Sequence, residues 1–178
     1  MNYILIIVVL AALLAAFRCV GIVNGFRRKE IQVEESLSGI EVALTKRYDM
    51  LTKMLDTAKG CMSHERDLFT ETIRLRSGMT VGELSEAGER IENLSRKFFA
   101  VAEGYPQLKS SEVFTELQRG IMDAEEHLQA ARRLYNAKVA AYNQSISVFP
   151  GSLLAGGRQP KAFFRAADEK KEDVKIHF

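Results

Sequence analysis

The stretch EVALTKRYDMLTKMLDTAKGCMSHE, residues 41–65, is an apolar stripe of helical spacing that charge interrupts twice. Arg47, Tyr48 and Asp49 break it first, and His64 with Glu65 break it again. Followed in both directions, the stripe comprises Val33, Leu37, Ile40, Leu44, Tyr48, Leu51, Leu55, Ala58 and Met62. Steps of three or four keep these residues on one face of a helix and would scatter them over both faces of a strand. The pattern predicts a long amphipathic helix. A charged group in such a stripe usually fixes register against a partner helix, and that is the role expected of Arg47 and Asp49 around Tyr48.

Downstream, Gly78 supplies a stop, and Thr80 followed three residues later by Glu83 has the form of a capping box. A hairpin between the first and second helices is expected there. Leu84, Ala87, Ile91, Leu94, Phe98, Val101 and Tyr105 carry the second stripe until Gly104-Tyr105-Pro106 ends it, because proline restrains its predecessor and lacks an amide proton. A third helix starts with Ser110 or Ser111 as cap. Phe114, Leu117, Ile121, Ala124, Leu128, Ala131, Tyr135, Val139, Tyr142, Ile146 and Phe149 then hold heptad spacing as far as Phe149-Pro150-Gly151. Nothing reads as a sheet. The predicted fold class is all-α, a long antiparallel helical bundle or coiled-coil-like domain of three to four helices. Helices one and three outrun helix two, so apolar stripe is left for either the tail SLLAGGRQPKAFFRAADE or a second protomer to cover.

A chain of 178 residues with 47% hydrophobic content suits one domain plus attachments. Its formal charge of +2, with acids and bases interleaved, provides no broad basic field and excludes a nucleic-acid partner. Cys19 and Cys61 form neither a disulfide framework nor a zinc knuckle, and are expected to be free thiols in a reducing compartment. The opening MNYILIIVVLAALLAAF has no ionisable side chain except the Tyr3 phenol, and apolar character resumes after Arg18 until Arg27-Arg28-Lys29. That length matches a bilayer core of about 30 Å at the helical rise of 1.5 Å. MNY lacks the positive start of a signal peptide, and Phe17-Arg18 spoils a cleavage site after Ala15-Ala16, so an uncleaved anchor is expected. Arg18, Arg27, Arg28 and Lys29 all lie C-terminal to the apolar run and only the α-amino group precedes it, which predicts a single pass of the inner (plasma) membrane with the N-terminus outside and the helical domain cytoplasmic, Arg18 snorkelling to the inner interface. The expected divisions are 1–26 anchor, 27–150 bundle and 151–178 tail.

Chemistry is less legible. His64 and Glu65 would start a zincin motif, but Leu68 stands where the second histidine belongs, and Cys61 stands where a di-iron Glu-x-x-His would need its carboxylate. Cys61-x-x-His64 has only His127 and His177 elsewhere to complete a shell, so no metal or other cofactor is expected. Glu103 pairing with Arg132 or Arg133 is left open. A half-buried carboxylate and guanidinium bonded to Asn136 or Asn143 would set helix alignment. Gly156 and Gly157 suit a flexible tail better than a nucleotide loop. No nucleophile with its base and no facing carboxylates are present, so no enzyme is predicted.

The apolar anchor, LTKRYDML, AKGCMSHE, FFAVAEGYPQLKSSEVFTELQ and AARRLYNAKVAAYNQSISVFPGSLLA together resemble the LemA family of bacterial membrane-anchored helical proteins. The likeness covers nearly the whole chain in order and spacing. It departs where family members often have Ile-Pro-Asn and this chain has Thr52-Lys53-Met54, and where GGRQPKAFF replaces a Phe-Gly-Phe run. The resemblance implies a bundle of long antiparallel helices on one membrane span, and it does not imply an enzyme. The residues it carries as structural or interaction candidates are Arg47, Tyr48, Asp49, His64, Glu65, Glu103, Tyr105, Pro106, Arg132, Tyr135, Asn136, Tyr142, Asn143, Phe149 and Pro150. A scaffold that self-associates as a homo-oligomer or docks an envelope protein is the function expected. The alternative is a small-molecule or metal-dependent site between helices, built on Tyr48, His64, Glu65, Glu103 and Arg132. A third role, the gripping of anionic lipid by Arg27-Arg28-Lys29 and FFRAADEKKEDVKIHF, competes with a solvated, disordered tail.

Overall fold

A computed structural model describes residues 2–62, 65, 68 and 73–164. Among these residues the fold is all-helical: α1 (Asn2–Ala58), α2 (Val81–Ala102), α3 (Pro106–Lys109), α4 (Glu112–Ser147) and α5 (Gly151–Leu154). The chain forms two compact units. Among the described residues, one joins 2–36 to Leu134–Phe163, and the other holds those of Leu37–Arg133 with Phe164.

In the second unit the predicted stripes form the core. Ile40, Leu44, Leu51 and Met54 of α1 are sealed from solvent with Leu84, Ile91, Leu94 and Phe98 of α2 and Ala124 and Leu128 of α4. Such side chains each contribute roughly 1.5 to 3 kcal/mol through burial. Two positions are shifted: Arg47 is buried and its neighbour Tyr48 is only half-buried, and Ala102 is buried where Val101 is half-buried. The first helix also stops earlier than its stripe suggests. It ends at Ala58, whose carbonyl accepts from both Cys61 N–H and Met62 N–H in a terminal turn around Lys59-Gly60. Met62, Leu68, Ile73 and Met79 are buried nonetheless, so the connection beyond α1 supplies core without continuing the helix.

That connection also overturns the expected hairpin. It ends beside α1, where the Gly78 N–H, at a residue with φ +78°, donates to the Glu41 carboxylate at 3.1 Å. Leu44 then faces Gly88, and farther on Glu65 meets Tyr105, so α2 runs parallel to α1. Met50 against Gly120, Arg47 against Glu125 and Phe98 against Phe114 make α4 antiparallel to both. A segment as long as Lys59 to Thr80 can return along the helix it leaves, which a tight turn cannot.

The predicted capping box is present in both directions. Thr80 Oγ1 accepts from Glu83 N–H, and the Glu83 carboxylate accepts from Thr80 N–H at 2.7 Å. The Thr80 amide, with its hydroxyl and Arg76, holds the Glu83 carboxyl below its usual 4.5. A depressed folded value means that the contribution is complete above the unfolded value and is lost as pH falls through the folded one. Thr80→Ala is expected to cost about 1 kcal/mol. It should also flatten the acid limb of a denaturation series recorded below pH 5; an unchanged acid limb would remove the cap from this account.

In the first unit α1 begins with residues that nothing covers, Ile4, Leu5, Leu13 and Phe17 among them. Burial starts at Phe26 and continues with Val33, against Tyr135, Val139, Tyr142 and Ile146 of α4. The α4 stripe does not reach Phe149 as predicted. The helix ends at Ser147, and Phe149 is 75% exposed in the turn that follows, where the Phe149–Pro150 peptide is cis and Pro150 precedes α5. Gly156 and Gly157, expected in a flexible tail, instead both adopt positive φ and turn the chain. Residues 155–163 then lie within this unit, which is the tail alternative for covering the stripe; residues 165–178 lie outside the described residues.

Candidate functional site: a charged layer and a clamped tail

Within the second unit, the buried charge of α1 is answered by α4. Arg47 Nη1 lies 2.8 Å from Glu125 Oε2, with side-chain exposures of 7% and 30%. Neither atom meets the angular requirement of a hydrogen bond, so the contact is a close ion pair set off the N–H axis. Glu125 Oε1 accepts from Gln129 Nε2 at 2.6 Å. Arg132, two turns along α4 from Glu125, has its guanidinium 4.9 Å from the Phe164 ring centroid. Burial lowers the Arg132 pKa; the Glu125 carboxylate opposes that shift, and the Arg47 charge adds to it.

Gly88 of α2 makes room for this layer. A Cβ there would come 3.1 Å from Arg132 Nη2 and 3.3 Å from Leu44 Cδ2. Arg132 Nε and Ser95 Oγ are buried without hydrogen-bond partners. The arrangement therefore pairs Arg47 with Glu125 and leaves Arg132 in the field of Glu125, with weaker support from Glu92 and Glu89. It can lock the register of α1 on α4, because a slip of one turn would bury Arg47 without a counter-charge. The carboxylate close to the arginines is thus Glu125. Glu103 is exposed and caps the C-terminus of α2.

The other candidates in this unit do not converge. Asp49 is exposed and lines an open cleft of about 470 Å³ with Glu41, Lys46, Lys53 and Arg76, whose charges are mixed. The Tyr48 carbonyl accepts from the Thr52 hydroxyl. Tyr105 precedes Pro106, the first residue of α3, and its phenol reaches Glu65 Oε1 at 3.5 Å. His64 lies outside the described residues. Among the described residues no three His, Cys, Asp or Glu side chains are placed to hold a metal ion. Cys61 is an exposed free thiol and Cys19 a partly covered one.

The first unit collects the Tyr-Asn motifs. The Asn143 side chain pairs with the Lys161 backbone twice: its amide donates to Lys161 O at 2.9 Å, and its oxygen accepts from Lys161 N–H at 2.8 Å. Two turns upstream, the Tyr135 hydroxyl donates to Ala162 O at 3.0 Å. Burial pushes the Tyr135 phenol up from its usual range. Lys161 Nζ sits 5.7 Å from the Tyr142 ring centroid and 3.5 Å from Glu30 Oε1. The Arg27 guanidinium, bonded to Glu30 at 2.9 Å, holds that carboxyl below the ordinary carboxylate value. Gly151 completes the clamp, since a Cβ there would collide with the Ser145 carbonyl oxygen and crowd the Phe26 ring. Asn136 is half-buried on α4.

Sequence reasoning picked out Arg47, Arg132, Tyr135, Tyr142 and Asn143, and it missed Glu125, Gln129, Gly88 and Gly151. Glu125 and Gln129 stand four apart beside the core positions Ala124 and Leu128, which is the signal that could have exposed them.

These features define a class: a helical protein whose N-terminal helix is long and apolar enough to cross a membrane, and whose packed segments are tied by a charged layer and a tail clamp. The LemA family profile matches residues 36–178, and the chain belongs to the LemA family. It is similar to Protein LemA of Metamycoplasma hominis, 26% identical over 165 residues that cover 89% of this chain and 75% of that relative. A shorter likeness, 29% over 63 residues, links 35% of this chain to 23% of the magnetosome protein MamQ of Magnetospirillum gryphiswaldense.

Proposed function

We propose that this protein is a non-enzymatic, membrane-anchored helical scaffold that works by self-association or by docking an envelope protein. The observation that carries the reading is the continuity of α1, which passes without a break from uncovered apolar side chains into a helix packed in both units. In this reading residues 1–26 anchor, 27–150 form the helical domain and 151–178 form the tail. Arg18, Arg27, Arg28 and Lys29 all lie C-terminal to the first apolar run, residues 3–17, and favour an inner-membrane location with the N-terminus outside and the helical domain in the cytoplasm. The motif residues act as structure in this account: Arg47 and Arg132 are engaged with Glu125, and Tyr135 and Asn143 with the tail.

In-cell photocrosslinking from Val42 and other exposed α1 positions tests the scaffold. Crosslinks to a second copy or to one recurring envelope protein are the expected result. A chain that stays monomeric and unattached from every such position would sink it. Labelling of positions beyond Lys29 by an impermeant reagent from outside intact cells would reverse the orientation.

A further inference from the structure

We infer that the turn between α4 and α5 is a second membrane contact, an apolar wedge that enters the interface of an anionic bilayer beside the anchor. The inference rests on the anchoring reading above and adds a surface to it. Val148, Phe149 and Leu153 are 55%, 75% and 76% exposed, an unusual density of bare apolar area in one short turn. The turn belongs to the same compact unit as the span and packs directly against it. Gly151 is seated on the Phe26 ring, and Ile22, Gly25, Lys29, Val148 and Phe149 line one shallow hollow of about 380 Å³.

The depth follows from helix geometry. Tyr3 to Ile22 covers about 30 Å at 1.5 Å per residue, the thickness of a hydrocarbon core. Phe26 stands one turn farther, about 6 Å on, at the level of the headgroups. A turn seated on Phe26 is therefore held where apolar side chains immerse about 5 to 10 Å into the boundary between headgroups and acyl chains.

Charge selects the occupant. Arg27 and Arg28 are exposed at this level, with Lys29 partly so, and Arg158 lies with its guanidinium 5.3 Å from the Phe26 ring centroid. Cations flanking an apolar tip complement anionic headgroups. A protein partner would have to reach the same tip through the headgroup layer.

The chain contains no tryptophan, so a single one is a clean probe. Full-length Phe149→Trp and Leu153→Trp, reconstituted in vesicles of phosphatidylcholine and phosphatidylglycerol with brominated acyl chains, are expected to lose about half of their emission and to shift to the blue. Leu10→Trp, inside the span, reports the anchor independently. Quenching of Leu10→Trp without quenching of either turn probe overturns the wedge and leaves the anchor standing. A blue shift at the turn without quenching means that protein covers it and equally overturns the wedge. Failure of Leu10→Trp to be quenched removes the anchor and the wedge together.

Discussion

Glu125→Ala is expected to lower stability by about 3 kcal/mol, the low end of the range for one partner lost from a buried pair, because Glu125 keeps some exposure. The loss does not come chiefly from the missing contact. It comes from Arg47, which remains buried with no counter-charge, and from Arg132, whose cationic form Glu125 also supports. Two comparisons separate these contributions in urea denaturation followed by the helical circular-dichroism signal. Glu125→Gln removes the charge but can still accept from Gln129, so it should fall between the wild type and the alanine variant. The double variant Arg47→Met with Glu125→Leu replaces the pair by apolar volume and should recover most of the loss, since such replacements are often neutral or stabilising. It should not recover all of it, because Arg132 then keeps only the weaker support of Glu92 and Glu89. Full recovery would mean that Arg132 does not depend on Glu125, and a harmless Glu125→Ala would mean that the layer does not set register at all.

The positions that form the core were legible because helical spacing is a strong signal wherever one face is buried. Ile40, Leu44, Leu51, Leu84, Ile91, Phe98, Leu128 and Val139 are all buried as their spacing requires. The same signal misled at the end of α1, and the reason is physical. Met62 is buried in the terminal turn after Ala58, and a buried turn continues an apolar stripe without continuing a helix. Direction was lost with it, since a tight turn was read at Gly78 where a long return was built.

The candidate site divides in the same way. Arg47 was conspicuous because a guanidinium interrupts an aliphatic stripe. Its partner was not, because Glu125 stands beside the exposed Glu126 and the pair reads as a solvated face. Gly88 and Gly151 carry no side chain to notice; their importance lies in the Arg132 and Phe26 groups and the Ser145 carbonyl that come close to them. Tyr135 and Asn143 could be picked out as motif residues, yet their hydrogen-bond partners are backbone atoms of Lys161 and Ala162. Backbone partners leave no trace in residue identity, and Gly156-Gly157 suggested a loose tether where the chain turns back.

Asn143→Leu is expected to free the segment around Lys161, because it removes a donor and an acceptor at once. Two hydrogen bonds at about 1 kcal/mol each amount to about 2 kcal/mol of local opening free energy, or roughly thirtyfold. Trypsin cleavage after Arg158 and Lys161, followed by mass spectrometry on the full-length protein, should accelerate by that order when cleavage is slower than reclosing. Tyr135→Phe removes a single bond to Ala162 and should accelerate the same cuts by roughly fivefold. Asn143→Asp is the sharper test, because it nearly preserves shape. At neutral pH the carboxylate can still accept from Lys161 N–H, but it cannot donate to Lys161 O and instead sets two negative oxygens together. Its cleavage should therefore be as fast as that of the leucine variant at pH 7. As the pH falls below about 4 the acid regains a proton to donate, and protection should partly return when an acid-active protease is used. Protection at Lys161 that is unchanged in both Asn143 variants would mean that the segment is held by Glu30, Tyr135, Tyr142 and Gly151, and that the paired amide is incidental.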